Sequence, residues 1–222
     1  IGCGTGDMAS MMKTAGAKLV SAFDLSAEAI KYCKEKYGNI PGLYFHNMDP
    51  VSYDYPKTKI EKYDIIVMVG VLEHTENPAK VLDTILERFM GPESILAVSC
   101  PLHLNPRGIV WLTCQYLFNV PMSLTDKHEL QPPFFERWAA ERMAGISDVH
   151  VVDEYYGTGP GMIEDLADRL PKALADWANS INHMEGLYSE DGIGKLLKFL
   201  AENKIPGHGA NACYFITKHA PK

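Results

Sequence analysis

Strand-like and helix-like segments alternate through the first hundred residues of the chain. The short apolar runs "AKLVSAFD", "GLYFHNMD", "KYDIIVMVGV" and "SILAVSCP" predict strands, and the intervening segments carry apolar residues at helical spacing. Ser26 stands where it would cap one helix, and Pro78 stands at the first position of another. Such alternation is typical of a mostly parallel sheet with helices on both faces. The sequence therefore predicts a doubly wound α/β fold, with "KYDIIVMVGV" as a strand buried on both faces.

The second half of the chain is less regular. "PPFFERWAAERMAG" predicts a helix, and "VHVVDEYYG" and "ACYFITK" predict two further strands separated by a helical insertion of approximately residues 161–203. Phe135 and Trp138 have the helical spacing of core residues. A chain of 222 residues suits one domain rather than two. We expect a single domain over 1–222, with a regular half over 1–100 and a less regular half over 101–222.

Charge and cysteine usage exclude several classes of protein. A net charge of -7 disfavours a large nucleic-acid interface, which usually shows as a basic face. The cysteines are scattered, so they predict neither a metal site nor a disulfide framework, and they suit a reducing cytoplasm. They are Cys3, Cys33, Cys100, Cys114 and Cys213. No apolar run is long enough for a membrane span.

The chain opens on a glycine-rich loop, "IGCGTGD". In the turn after the first strand of a doubly wound sheet, glycines let backbone N–H groups approach a nucleotide. A dinucleotide-binding loop reads G-x-G-x-x-G, but here Gly2 and Gly4 are followed by Gly6, and Asp7 takes the place of the third glycine. A carboxylate repels a pyrophosphate. The spacing therefore favours a ligand without phosphates.

Acidic residues end the next two predicted strands. Asp24 follows the loop by about 20 residues, the separation at which an acid accepts hydrogen bonds from ribose hydroxyls. Asp49 ends the predicted strand "GLYFHNMD", beside Met48. There a carboxylate can accept a hydrogen bond from an exocyclic amine while the thioether packs on a purine. Carboxyl ends of parallel strands lie together, so the sequence predicts a nucleoside site across three strand ends.

Taken as a set, four segments resemble the class I S-adenosylmethionine-dependent methyltransferases, and in particular the group that contains O-methyltransferases of quinone biosynthesis. They are "IGCGTG", "FDLS", "NMD" and "YDIIVMVGVLEHTENPAKVLDTILERFMGP". The resemblance implies a Rossmann-like sheet of seven strands, S-adenosylmethionine as cofactor, and methyl transfer to a small molecule, at oxygen. The family usually carries an acid just before the glycine loop. Because the chain starts after that position, we expect most of the first strand to be missing.

The resemblance also assigns cofactor binding to residues 1–100 and substrate recognition to 101–222, and it assigns individual cofactor-binding positions. The glycine loop would line the methionine and ribose, and Asp24 would bind the ribose. The residues at or just after the ends of "AKLVSAFD" and "GLYFHNMD" would line the adenine, and the end of "KYDIIVMVGV" would lie near the sulfonium. The positions are Gly2, Cys3, Gly4, Gly6, Asp24, Leu25, Met48, Asp49 and Val69. Gly70 departs from the family, since many relatives carry a larger residue there, and its small size would widen the mouth of the pocket.

Methyl transfer depends mainly on positioning, with a general base where the acceptor keeps its proton. Histidine is the usual base. His74 in "LEHTENP" and His128 in "DKHELQPPFF" are the predicted catalytic residues, and His103 is a third candidate whose simpler interpretation is a loop residue. The alternative for His74 is that it and Glu73 cap the next helix or orient the loop.

Three other functions stay open at this point. The histidine segments resemble small-RNA 2′-O-methyltransferases, which hold a metal with a Glu-x-x-Glu-His cluster, but Gly70 replaces the first glutamate. An NAD(P)-dependent oxidoreductase is disfavoured by Asp7 and by the additional acid at Asp49. A catalytically silent S-adenosylmethionine-binding module is disfavoured by the intact loop and acids.

Overall fold

The computed structural model describes residues 1–52, 62–103, 108–113, 126–142, 144–152 and 211–218. In chain order its elements are α1 (Asp7–Thr14), β1 (Val20–Asp24), α2 (Ala27–Tyr37), β2 (Leu43–Asn47), β3 (Tyr63–Val69), α3 (Pro78–Arg88), β4 (Met90–Pro101), α4 (Pro132–Glu141), β5 (Gly145–Val152) and β6 (Asn211–Thr217). A 3₁₀ turn, Leu72–His74, follows β3, and residues 108–113 are helical. The insertion predicted at 161–203 lies outside the described residues.

The strands form two sheets. β1 and β2 pair in parallel, with Asp24 opposite Asn47. The other sheet has the order β3-β4-β6-β5, in which β3 and β4 are parallel and β6 is antiparallel to both of its neighbours. The predicted mostly parallel α/β architecture is confirmed. Asp24 and Val69 end strands of the two parallel pairs, and Asp49 follows the end of β2.

The helix starts follow the signals in the sequence. The Ser26 hydroxyl accepts a hydrogen bond of 3.1 Å from the Ala29 amide, and the Asn77 side chain accepts one of 3.0 Å from the Lys80 amide. Each bond satisfies an amide that the first turn of a helix leaves unpaired. Pro78 occupies the first position of α3 and has no amide to satisfy. The predictions for Ser26 and Pro78 are confirmed, and Asn77 is a cap that the sequence analysis does not name.

The main core lies between the four-stranded sheet and helices α3 and α4. Phe135 and Trp138 of α4 are buried there, as their spacing predicts. Phe135 stacks on Tyr214 of β6, with ring centroids 3.9 Å apart. Leu82 and Ile85 bring α3 onto the same face of the sheet. A smaller core joins α1 and α2 to β1 and β2.

The prediction that β3 is buried on both faces is wrong for one face. Ile66 and Met68 are buried, but the side chains of Ile65 and Val69 are 54% and 49% exposed. The reason is an apolar slot between β1 and β3, which encloses about 120 Å³ and is lined along both strands. In the described residues no strand lies between these two edges.

Residues 1–3 connect the two sheets at the end of this slot. The amino group of Ile1 donates a hydrogen bond of 2.8 Å to the Val67 carbonyl in β3, and the Cys3 amide donates one of 2.9 Å to the Phe23 carbonyl in β1. The glycine loop therefore begins between the two strands whose ends flank the candidate site.

The helices of the described part are short. The longest, α2 and α3, have 11 residues each. A membrane span needs about 20 consecutive apolar residues. No helix in the ranges given above meets that requirement.

Candidate active site

The glycine loop turns through three residues with positive φ: Gly2 at 68°, Gly4 at 49° and Gly6 at 79°. A Cβ atom on Gly6 would lie 2.8 Å from the Cys33 sulfur, so only glycine lets the loop pack this closely on α2. At Gly4 the equivalent direction is empty, with no atom within 4 Å. The Cys33 thiol donates to the Gly4 carbonyl at 3.2 Å. The loop is therefore held against α2 while its exposed side stays open to a ligand.

Asp24 lies directly beside Gly4. Its Oδ2 atom accepts a hydrogen bond of 2.8 Å from the Gly4 amide, and its Oδ1 atom accepts one of 2.9 Å from the Ser26 amide. Each carboxylate oxygen has a further lone pair, so Asp24 can still accept from a ligand hydroxyl. The carboxylate therefore links the end of β1 to the loop and remains able to bind a ribose.

Asp7 ties the loop to α2. Its carboxylate accepts a 2.6 Å hydrogen bond from the Thr5 hydroxyl, a 3.1 Å ion-pair contact from Lys36 and a short hydrogen bond from the Tyr37 hydroxyl. These donors hold the pKa of Asp7 well below its usual range, and the hydrogen bond from Thr5 makes the largest contribution. The sequence predicts only that Asp7 would repel a phosphate. Its contacts give it a second, structural part in fixing the loop.

The ends of β1 and β2 are joined by Asn47. Its side-chain amide donates to the carbonyl oxygens of Asp24 at 3.0 Å and Leu25 at 2.9 Å. Next to it, Met48 and Asp49 are half-buried, and Asp49 accepts a 2.9 Å hydrogen bond from the Val51 amide. The four positions assigned to ribose and adenine thus lie on adjoining strand ends. The bridging role of Asn47 is not predicted by the sequence.

The Leu25 side chain is 74% exposed at this edge. An exposed leucine after a strand end is apolar surface that a flat base could cover. With the empty direction at Gly4 and the accepting oxygens of Asp24, the residues present suit a purine nucleoside. The strand ends therefore fit the nucleoside part of S-adenosylmethionine.

The end of β3 carries the other group of candidate residues. Val69 is followed by Gly70, whose amide donates to the Ser99 carbonyl of β4 at 3.1 Å, and then by the turn Leu72–His74. Glu73 in this turn is buried, with a side chain 3% exposed, and burial raises its pKa. Among the described residues its Oε2 atom has no hydrogen-bond partner.

His74 and His128 are brought to this same turn. The Nδ1 atom of His74 lies 3.1 Å from Oδ1 of Asp126. The amides of Lys127 and His128 both donate to the Glu73 carbonyl, at 2.9 and 3.2 Å. The segment 126–128 therefore lies across the turn, and Asp126 becomes a neighbour of His74 that the sequence does not predict.

Two further histidines make polar contacts in this region. The His128 Nε2 atom is 3.3 Å from the Glu76 carbonyl oxygen, so that ring already has a partner. His103 is buried, and its Nδ1 atom is 3.0 Å from the Gln131 side-chain amide. His103 therefore serves to anchor the start of α4. Within the described ranges, no group of three or more His, Cys, Asp or Glu side chains could hold a metal ion.

Comparisons with known proteins agree with this geometry. Residues 1–96 match the family described as a methyltransferase domain. The ubiquinone biosynthesis O-methyltransferase of Haemophilus ducreyi (strain 35000HP / ATCC 700724) is 25% identical over 117 residues, which cover 51% of this chain and 42% of that protein.

Solved structures share the fold across nearly the whole chain. The 4+2 cyclase SpnF matches with a TM-score of 0.59 at 19% identity, covering 99% of this chain and 73% of that one. An S-adenosylmethionine-dependent methyltransferase from Mesorhizobium loti matches with a TM-score of 0.56 at 13% identity, covering 97% and 88%. At these identities the likeness concerns the fold alone.

The chain spans less than half the length of the curated relatives that it matches. Within that span the family match includes the glycine loop, Asp24, Asp49 and Val69, which the structure places at adjoining strand ends. Over residues 1–96 the chain is therefore similar to the methyltransferase domain family.

Proposed function

We propose that this chain transfers a methyl group from S-adenosylmethionine to an oxygen atom of a small-molecule acceptor. The observation that carries the proposal is the position of Asp24, held beside Gly4 by a 2.8 Å hydrogen bond. A carboxylate next to an open glycine loop is suited to a ribose and poorly suited to a pyrophosphate. The likeness to a ubiquinone biosynthesis O-methyltransferase supports oxygen as the acceptor atom.

The cofactor would lie across both sets of strand ends. We assign the methionine and ribose to Gly2, Cys3, Gly4 and Gly6 with Asp24, and the adenine to Leu25, Met48 and Asp49. Val69, exposed at the end of β3, would lie near the sulfonium. When bound, the cofactor supplies a methyl group on a positively charged sulfur, so an S–C bond breaks as an O–C bond forms.

His74 is the proposed general base. With Nδ1–H donating to Asp126, the Nε2 atom carries the lone pair of the imidazole and would accept a proton from the acceptor hydroxyl. The carboxylate fixes the ring orientation and stabilises the imidazolium that forms, as in other base–carboxylate pairs. His128 is the second candidate, and its contact with the Glu76 carbonyl makes it better suited to holding the segment in place.

Calorimetric titration of the full protein with S-adenosylhomocysteine, NAD and NADP tests the cofactor assignment. We expect the homocysteine nucleoside alone to bind. Binding of NAD or NADP in its place would favour an oxidoreductase. If the nucleoside binds, transfer of a labelled methyl group to a panel of phenols, carboxylic acids and amines tests the reaction, and a short RNA with a free 3′ end tests the RNA alternative.

One comparison keeps a silent module in view as the second candidate. SpnF shares the fold and is described as a cyclase, so the fold alone does not require methyl transfer. The His74–Asp126 pair favours catalysis here, because a module that only binds the cofactor has no use for an oriented base. Cofactor binding without transfer to any panel member or to RNA would favour the silent module.

We also propose a cytoplasmic location. The proposal rests on the scattered positions of the cysteines, which do not predict a disulfide framework.

A further inference from the structure

Two residues at the end of α2 and one in β2 contact the segment around the glycine loop. Tyr37 is half-buried, and its ring stacks on Phe45 of β2 with centroids 6.4 Å apart. Its hydroxyl donates a short hydrogen bond to the carboxylate of Asp7, the residue that directly follows the loop. Lys36 Nζ lies 3.1 Å from the same carboxylate and 4.8 Å from the centre of the Tyr37 ring.

The aromatic part of this group packs on the loop itself. A Cβ atom on Gly6 would lie 3.1 Å from the Phe45 ring, so that ring lies against the loop backbone. Tyr37 joins the two contacts, because its ring stacks on Phe45 and its hydroxyl binds Asp7. The C-terminal half of the loop is therefore attached at two neighbouring residues, and Tyr37 takes part in both attachments.

A loop with three glycines depends on such contacts more than an ordinary loop. Glycine loses more conformational freedom on folding than any other residue, and Gly2, Gly4 and Gly6 all have a positive φ. The Gly6 amide donates to the Cys3 carbonyl at 2.8 Å, within the loop, and the Gly6 carbonyl accepts from the Ser10 amide at 3.0 Å, within α1. Neither bond attaches the loop to α2 or β2. Side-chain contacts make that attachment.

The hydroxyl of Tyr37 is the stronger of the two donors from α2. The side chains of Asp7 and Lys36 are 58% and 42% exposed, and an exposed ion pair contributes little by itself. A hydrogen bond to an ionised carboxylate is about twice as strong as one between neutral groups. Stacking on Phe45 already orients the Tyr37 ring, so its hydroxyl loses little freedom in binding Asp7. Tyr37 is therefore the residue that fixes Asp7.

We propose that Tyr37 is a positioning residue for S-adenosylmethionine, and that through Asp7 it holds the glycine loop in the conformation that binds the methionine part of the cofactor. The inference rests on the proposed function, in which the loop lines the methionine and ribose. It adds a residue that is not among the assigned cofactor-binding positions. A loop already held in its binding conformation loses less freedom when the cofactor binds, and the affinity is higher for that reason.

Hydrogen exchange of the Gly6 amide, followed by NMR, tests the loop without any ligand. In Tyr37→Phe the ring stays and only the bond to Asp7 is lost. We expect the amide to exchange about threefold faster or more in this variant, because the loop opens more often. Tyr44→Phe changes an exposed tyrosine of β2 and should leave the rate unaltered. Equal rates in wild type and Tyr37→Phe would overturn the proposal.

Two ligands test the consequence for the cofactor. S-adenosylhomocysteine carries the amino-acid part that the loop would line, whereas 5′-methylthioadenosine has the same nucleoside without it. By calorimetry we expect Tyr37→Phe to weaken binding of S-adenosylhomocysteine about threefold to tenfold and to change the affinity for methylthioadenosine less. Asp7→Ala should give the same selective loss. The double variant should lose no more than Asp7→Ala alone, because Tyr37 acts through Asp7.

The outcomes separate this inference from the function on which it rests. An unchanged affinity for S-adenosylhomocysteine in Tyr37→Phe, an equal loss for both ligands, or losses that add in the double variant would each overturn the positioning role. Those results leave the cofactor assignment intact if the wild-type protein binds S-adenosylhomocysteine. Failure of the wild-type protein to bind either ligand overturns the proposed function itself, while the exchange rates still report whether Tyr37 holds the loop.

Discussion

The Nδ1 atom of His74 lies 3.1 Å from Oδ1 of Asp126, although the two residues are 52 positions apart in the chain. The contact forms because the amides of Lys127 and His128 donate to the Glu73 carbonyl and so hold segment 126–128 across the turn after β3. An imidazole whose Nδ1–H donates to a carboxylate has a defined tautomer, in which Nε2 carries the lone pair that a base needs.

Replacing Asp126 with asparagine should impair the base without impairing cofactor binding. We expect kcat for methyl transfer to fall about tenfold or more, while affinity for S-adenosylhomocysteine stays unchanged. The ¹⁵N chemical shifts of the His74 ring should show a mixture of tautomers in the variant. Glu136→Gln, at an exposed position of α4, is the control and should leave both quantities unaltered. A single unchanged tautomer in Asp126→Asn would contradict the assigned pairing.

Asp24→Ala should weaken binding of S-adenosylhomocysteine by roughly 1.5–3 kcal/mol, the loss expected for charged hydrogen bonds. Part of the loss would come from freeing the Gly4 amide, which the carboxylate now holds at 2.8 Å. Isothermal titration calorimetry gives the affinity. Glu28→Gln, exposed in the first turn of α2, removes a nearby charge and should have little effect. Equal affinities for wild type and Asp24→Ala would refute the ribose assignment.

Glu73→Gln should stabilise the fold at neutral and alkaline pH. Burial raises the pKa of Glu73 in the folded state above its ordinary value of 4.5, so stability falls as the pH rises from that value through the folded pKa. The amide removes this ionisation and should increase the free energy of unfolding by about 1–3 kcal/mol near pH 8. Urea denaturation should show the difference shrinking toward pH 4.5. A constant difference would mean that ionisation is not the cause.

Asp83→Asn should destabilise the packing of α3 against α4. Asp83 accepts a 2.8 Å hydrogen bond from Trp138 Nε1 and one of 3.0 Å from Arg142 Nη2, and Arg142 lowers its pKa. The stability from this lowered pKa exists above the unfolded carboxyl pKa and is lost as the pH falls through the folded pKa. We expect a loss of about 1–2 kcal/mol in urea denaturation near pH 7 that diminishes in acid. Equal losses at both pH values would argue against the ion pair.

Tyr214→Phe should leave stability unchanged or raise it by about 1 kcal/mol. The ring is fully buried on Phe135, and in the described residues its hydroxyl has no hydrogen-bond partner. Removing an unpaired buried hydroxyl relieves a desolvation cost while the stacked ring stays. Thermal unfolding measures the effect. Phe135→Leu is the contrasting variant, since it breaks the stack and should lower the unfolding temperature.

Local signals account for what the sequence predicts correctly. Ser26 and Pro78 act within one helical turn, and the spacing of Phe135 and Trp138 indicates which face of α4 is buried. The glycine loop and Asp24 are separated by one strand and one helix, a distance that the fold class fixes. These features depend on neighbours in the chain or on the order of the elements.

The unpredicted features depend on how distant segments meet. Asn47 bridges β1 and β2 only because the register of the two strands places it opposite Asp24. Asp126 contacts His74 only because backbone hydrogen bonds hold segment 126–128 across the turn after β3. Apolar composition predicts a buried β3, but Ile65 is exposed because an apolar slot lies between β3 and β1. Periodicity carries no information about such neighbours.

The link made by residues 1–3 has a mechanical consequence for the site. The Cys3 amide is bound to β1 and the Ile1 amino group to β3, so any relative displacement of the two sheets is transmitted to Gly2 and Gly4. A molecule gripped at one end by Asp24 and at the other by the turn after β3 would resist that displacement. The bound methyl donor would then link the sheet of β1 and β2 to the sheet that contains β3. Its binding would align the site for catalysis and raise the unfolding temperature at the same time.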